Sequence, residues 1–203
     1  TMGCSLYYYT FTSYMQKYLV LSVGMDAGTV SFIMTSALVC FMICQPFFGM
    51  LADRIGVKKS MMIFGGLATA LVVPILTTLK TVSSPYAAFA LIMSGLLIAA
   101  FYTPVTGVLK ADLYPASVRA LGVGLPYAIG NALCGGTAEY VALMLKSMGI
   151  ESYFFYYVAA LVCVTFIASV LMPDLRKHGY LDGTGTVEDN FAKSPGYGHS
   201  AHS

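Results

Sequence analysis

The chain has 203 residues, 58% of them hydrophobic and only 10% charged, with a mean hydropathy of +0.75. A soluble domain carries about 25% charged residues, so too little polar material is present to coat a globule; a soluble enzyme, a nucleic-acid binder and a disordered protein are all excluded. What remains is an all-α integral membrane protein, because its apolar runs are continuous over about twenty residues where a membrane barrel would alternate over strands of about ten.

Six apolar segments follow one another, at approximately 1–23, 28–52, 58–79, 85–111, 117–147 and 150–173. Each is near the ~20 residues that cross a bilayer. The first starts at Thr1 without a polar or basic flank, and is too long and Tyr-rich for a signal peptide. It reads as the start of a piece cut from something longer. Within it Tyr7, Thr10, Tyr14 and Lys17 recur at helical spacing and predict one hydrophilic stripe.

Short connections (VGMDAG, DRIGVKK, KTVSSP, DLYPAS and MGIES) join the segments and force antiparallel neighbours. Pro46, Pro74, Pro104 and Pro126 fall inside predicted helices and should kink them. After Pro173 the composition turns to Gly, Ser and charge, so residues 1–173 read as a six-helix membrane domain and 174–203 as a disordered cytoplasmic tail. His178, His199 and His202 all lie in that tail and suggest no metal site.

The basic residues orient the chain. Arg54, Lys58, Lys59, Lys110 and Arg119 occupy the second and fourth connections, with Arg176 and Lys177 at the start of the tail. Only Lys80 and Lys146 stand in the other connections. The even connections and the C-terminus are therefore expected in the cytoplasm.

No hydrolase, zinc-protease or nucleotide-binding motif occurs. Cys4, Cys40, Cys44, Cys134 and Cys163 sit in apolar runs without a C-x-x-C pair, so they read as small hydrophobes. Charge inside the membrane is the better guide to function. Lys17 in the first segment and Glu139 in the fifth each cost at least ~2.5 kcal/mol at a helix centre. Each lies about 9–10 Å from the outer end of its helix, at similar depth. They are candidates to line the outward half of a cavity, Lys17 attracting a substrate carboxylate and Glu139 carrying a proton. Tyr14 and Asn131 are candidate cavity walls beside them. Plainer readings stand next to these: Lys17 snorkelling to the interface, Glu139 bonding within a small-residue helix contact, or the pair merely holding two helices together.

The loop GMLADRIGVKK, from Gly49 through Asp53, Arg54 and Gly56 to Lys58 and Lys59, resembles the G-x-x-x-D-R-x-G-R-[KR] signature of the major facilitator superfamily. Gly49 would permit close helix approach, Asp53 would end a helix and Gly56 would allow a tight turn. Val57 departs from the pattern, which usually has a basic residue there. A second element, KADLYPASVRALG, resembles the acid-x-x-Pro-x-x-x-Arg sequence common in this superfamily; Asp112, Pro115 and Arg119 fill it. The stretches YYYTFTSYMQKYLV, SSPYAAFALIM and FYTPVTGVLKADLYPASVRALGVGLPYAIGNALCGGTAEYVALMLKSMG are similar to the C-terminal half of a member of the metabolite:H+ symporter family, and the resemblance runs over residues 1–171.

The resemblance implies the C-terminal half of a twelve-helix transporter in the bacterial inner membrane. It implies proton-coupled symport of α-ketoglutarate or a related dicarboxylate, driven by the proton gradient and needing no cofactor. Gly49, Asp53, Arg54, Gly56, Lys58, Lys59, Asp112 and Arg119 would form its cytoplasmic gate. The implied partners are the bilayer, the missing N-terminal six-helix half, a small organic anion and H+, with no nucleic acid. Asp53 would meet a helix terminus of that half. Citrate or a zwitterionic osmolyte is the alternative cargo, and a non-transporting six-helix membrane partner the alternative class.

Overall fold

The computed structural model describes residues 2–112 and 119–171, and the side chains of 2–110 and 120–171. The predicted tail, with Arg176, Lys177 and the three histidines, lies outside the described residues, as do Pro115 and the side chains of Asp112 and Arg119.

Every element described is helical. Residues 2–23 form one continuous run: α1 (Met2–Tyr9), a π-turn (Thr10–Tyr14), α2 (Met15–Tyr18) and a second π-turn (Leu19–Val23). Gly24, at φ +78°, closes the run by donating its N–H to the Leu19 carbonyl. The Asp26 carboxylate then caps α3 (Ala27–Ile55) through the Thr29 N–H at 3.1 Å. α4 (Val57–Thr81) returns antiparallel, and α5 (Pro85–Ala99) starts with proline at its first turn, where the missing N–H costs nothing. After a turn come α6 (Thr106–Asp112), α7 (Arg119–Gly130), a third π-turn (Asn131–Gly135), α8 (Ala138–Ser147) and α9 (Ser152–Leu171).

Among the described residues α3, α4 and α9 are long and apolar enough, without interruption, to cross a membrane. The other predicted segments are helical but broken or bulged. The fourth breaks at residues 100–105, where Pro104 stands in a turn. This corrects the expectation of a kink there. Proline lacks the N–H and clashes with the carbonyl four residues back, and here the chain leaves the helix instead of bending it. Pro46, Pro74 and Pro126 do lie inside helices, as predicted.

The first run is the central stave. Tyr7, Phe11, Tyr14 and Tyr18 repeat at helical spacing and are each at most 1% exposed. Tyr7 meets Phe64 edge-on at 5.4 Å, Tyr14 meets Phe154 at 5.0 Å, and Tyr18 meets Phe155 at 5.9 Å. Tyr7 donates to the Gly95 carbonyl at 3.0 Å and Tyr18 to the Leu76 carbonyl at 3.2 Å. α4 packs mainly on α9 and α5, and α1 on α9 and the third π-turn.

Two readings of the GMLADRIGVKK loop change. α3 runs on past Asp53 to Ile55, so Asp53 does not end the helix; Gly56, at φ +94°, does. Gly49 is not a point of forced approach either. A Cβ there would meet Pro104 at an ordinary 3.8 Å. Tight contacts occur instead at glycines such as Gly3, against the Leu161 carbonyl, Gly65, where a Cβ would sit 2.9 Å from the Phe166 backbone, and Gly95, which lies under the Phe11 ring. Gly65→Val should therefore lower stability by about 1–3 kcal/mol through overpacking. Gly107→Ala, with nothing near the added methyl, should leave it unchanged or slightly higher. Thermal unfolding of the detergent-solubilised protein measures both.

Candidate functional site

Lys17 sits on α2 between two π-turns, and Glu139 sits in the first turn of α8 just beyond the third. The structure joins them: Lys17 Nζ donates to Glu139 Oε1 in an ion pair. Their side chains are 50% and 34% exposed, so the pair lies at an open face of the chain. The similar depth expected from sequence is what lets them meet.

The stripe predicted along the first run does not line that face as one unit. Tyr7 and Tyr14 are buried in the core, and the Thr10 hydroxyl returns to the Leu6 carbonyl at 2.7 Å. Tyr14 therefore does not stand beside Lys17 as a cavity wall. Lys17 lies about 100° around the helix from the buried Tyr18, enough to bring it out of the core.

The Tyr14 hydroxyl instead donates to Glu151 Oε1 at 3.1 Å. Ser22 donates to the same oxygen at 2.6 Å and accepts from Lys146 Nζ at 2.9 Å. Glu151 is 9% exposed. Sequence reasoning placed Glu151 and Lys146 near a connection and gave them no further role. Their signal was a carboxylate directly before α9, within reach of hydroxyls on the first run. This network fastens the end of that run to the α8–α9 turn.

Asn131 lines a cavity, but one that neither Lys17 nor Glu139 borders. Its Nδ2 donates to the Tyr9 hydroxyl at 3.3 Å, and both line this cavity, of about 240 Å³, with Tyr8, Thr103 and Tyr127. Hydroxyls, an amide and ring faces from three stretches of chain converge there, which suits a small polar ligand. Gly135 lies under the Tyr9 ring, so a side chain at 135 would displace that wall. Gln45 and Thr103 exchange hydrogen bonds at 2.7 and 2.9 Å, tying α3 to the turn that bounds the cavity.

The residues of the GMLADRIGVKK loop cluster at one end of the bundle. Asp53, Arg54 and Lys59 are exposed, and Gly56 and Lys58 partly so. Ser60, one turn on, donates to the Phe101 carbonyl at 2.6 Å and fixes the start of α4 to the broken fourth segment. Among the described residues no cluster of His, Cys, Asp or Glu has the makeup of a metal site.

Residues 1–190 match the family described as Major Facilitator Superfamily. The chain is 56% identical over 172 residues to the alpha-ketoglutarate permease of Escherichia coli (strain K12), an alignment covering 85% of this chain and 40% of the relative. It is 28% identical over 153 residues to the inner membrane metabolite transport protein YhjE of the same organism, covering 75% of this chain and 35% of the relative. It is also 26% identical over 181 residues to the ectoine/proline transporter ProP of Corynebacterium glutamicum, covering 89% and 36%. The chain thus spans about two fifths or less of the length of these relatives. No solved structure matches it.

The Glu151 network yields a direct test. Glu151→Ala strands the Tyr14 and Ser22 hydroxyls and should cost about 1–3 kcal/mol. Glu151→Gln keeps an acceptor and should cost less. Chemical or thermal denaturation in detergent, compared with the unaltered chain, gives the ordering.

Proposed function

Because the chain belongs to the Major Facilitator Superfamily, we propose that it is the C-terminal six-helix half of a proton-coupled symporter for α-ketoglutarate or a related dicarboxylate. The observation that carries the reading is the Lys17–Glu139 pair at an open face, with a hydroxyl-lined cavity about two helical turns away along the same two runs. The broken and bulged runs at residues 2–23, 85–112 and 119–147 would join α3, α4 and α9 as the six passes.

An incoming carboxylate competes with Glu139 for the Lys17 ammonium. As the substrate takes that partner, Glu139 loses its cation and becomes the better proton acceptor. Binding of the anion and uptake of the proton are then coupled through one lysine. When the substrate leaves on the other side, Lys17 returns to Glu139 and the proton is released. Asn131 and the Tyr9 hydroxyl supply polar contacts to the remainder of the substrate. Tyr14 acts at a distance, holding the first run through Glu151.

Transport would proceed by rocking of two halves about a midplane site. The Gly49, Asp53, Arg54, Gly56, Lys58 and Lys59 loop, with Asp112 and Arg119, would stabilise the state closed on the cytoplasmic side. The excess of Lys and Arg in those connections supports a cytoplasmic position for that end, and for the C-terminus, in a bacterial inner membrane. No cofactor is required, since the proton gradient supplies the driving force. Similarity to a transporter named for ectoine and proline supports a second cargo class, zwitterionic osmolytes, at about half the identity.

Labelled α-ketoglutarate uptake by the chain expressed together with its N-terminal half should saturate and collapse with a protonophore. Glu139→Gln should abolish gradient-driven accumulation while substrate exchange persists, and Lys17→Ala should raise KM about tenfold or more. The chain expressed alone should show no uptake; saturable uptake by it would end the half-transporter reading. Excess glycine betaine that competes better than citrate or succinate would move the cargo to the osmolyte class.

A further inference from the structure

Lys110 is a cation that the scheme above leaves without a use. Its position near the fourth connection suggests an orienting charge, yet it is folded into α6 and is only partly exposed. Its ammonium stands 3.9 Å from the centroid of the Tyr127 ring. Among the described residues no carboxylate lies within ion-pair distance of it, the ion pair found being Lys17–Glu139. A ring face contributes about 0.5–2 kcal/mol to a cation and leaves its charge in place. An anion is the partner that would complete it.

Two cavities meet at this point. The hydroxyl-lined one contains Tyr127, and a second, of about 370 Å³ and mainly apolar, has Lys110 in its wall. Tyr102 and Thr106 belong to both. Thr106 Oγ1 is buried and, apart from an interaction with the Tyr102 hydroxyl, finds no hydrogen-bond partner among the described residues. An ammonium with no carboxylate partner among the described residues and a buried threonine hydroxyl thus lie one helical turn apart on α6, and both border cavities wide enough for a small molecule.

We propose that Lys110, with the Thr106 hydroxyl and the Tyr127 ring, forms a second carboxylate-binding site at the Gly56 end of the bundle, taking one carboxylate of a small organic anion. The proposal rests on the transport reading above and adds a station to it. Met2 and Gly3 border the cavity of Lys110, and Lys17 lies about 20 Å farther along the same run. One small dicarboxylate cannot span that distance, so the two lysines serve in succession, Lys17 on entry and Lys110 before release.

Two measurements on the complete transporter in oriented vesicles test this. Acetic anhydride labelling, read lysine by lysine by mass spectrometry, should show Lys110 protected several-fold by millimolar α-ketoglutarate at the Gly56 face, with Lys58 and Lys59 unprotected. Lys110→Gln should raise the KM measured from that face about tenfold and leave the opposite face within twofold, while Lys110→Arg stays near the unaltered protein. Unchanged labelling overturns the site, and so does an equal rise in KM at both faces, the mark of a structural role. Protection of Lys110 in a protein that transports no dicarboxylate upholds the site and rejects the transport reading. If Lys110→Gln fails to fold, the labelling result and Lys110→Arg still decide.

Discussion

Polar groups carried into an apolar interior must find their partners within the protein, since no water is there to serve. The run from residue 2 to 23 meets that demand with tyrosines. Their rings fill the space between α4, α5 and α9, and their hydroxyls reach the carbonyls of Gly95 and Leu76 and the carboxylate of Glu151. Each bond fixes the rotation of the run against a different element. Whatever else the run carries, Lys17 included, is aimed by these anchors.

The π-turns act on the same constraint from the backbone side. Among the described residues three of them occur, two flanking α2 and one ahead of α8, so both members of the ion pair sit beside a bulge. A wider turn leaves backbone hydrogen bonds less regular than an α-helix does, and such bulges recur at functional sites. In this chain they coincide with close packing as well. Gly135, inside the third bulge, lies against the Tyr9 ring, and Tyr9 in turn accepts from Asn131. Bulge, glycine and polar cavity are therefore one construction.

Much of this was legible beforehand. The composition, the spacing of apolar runs and the placement of Gly56 all depend on local properties: how many apolar residues follow one another, and which residue tolerates a positive φ. That Lys17 and Glu139 stand level with one another also follows from counting residues along a helix. Glu151 and Lys110 escaped because each lies close to a connection, where charge is ordinary. Only the fold shows one of them almost covered and the other turned over a tyrosine ring. Tyr14 was misjudged for the converse reason. A polar stripe on a helix reads the same whether it faces a cavity or a neighbour that can accept its hydrogen bonds.

The sequence by itself determined that this is a helical membrane protein, where its apolar segments break, and which two charges stand at one level along the bundle, because bilayer thickness and helical rise convert directly into residue counts. Tertiary structure alone decided which polar side chains were consumed in holding helices together and which stayed open to a ligand. That choice depends on the acceptor a neighbouring helix happens to present, and residues 88 and 137 positions apart in sequence, such as Tyr7 with Gly95 and Tyr14 with Glu151, become partners only after packing.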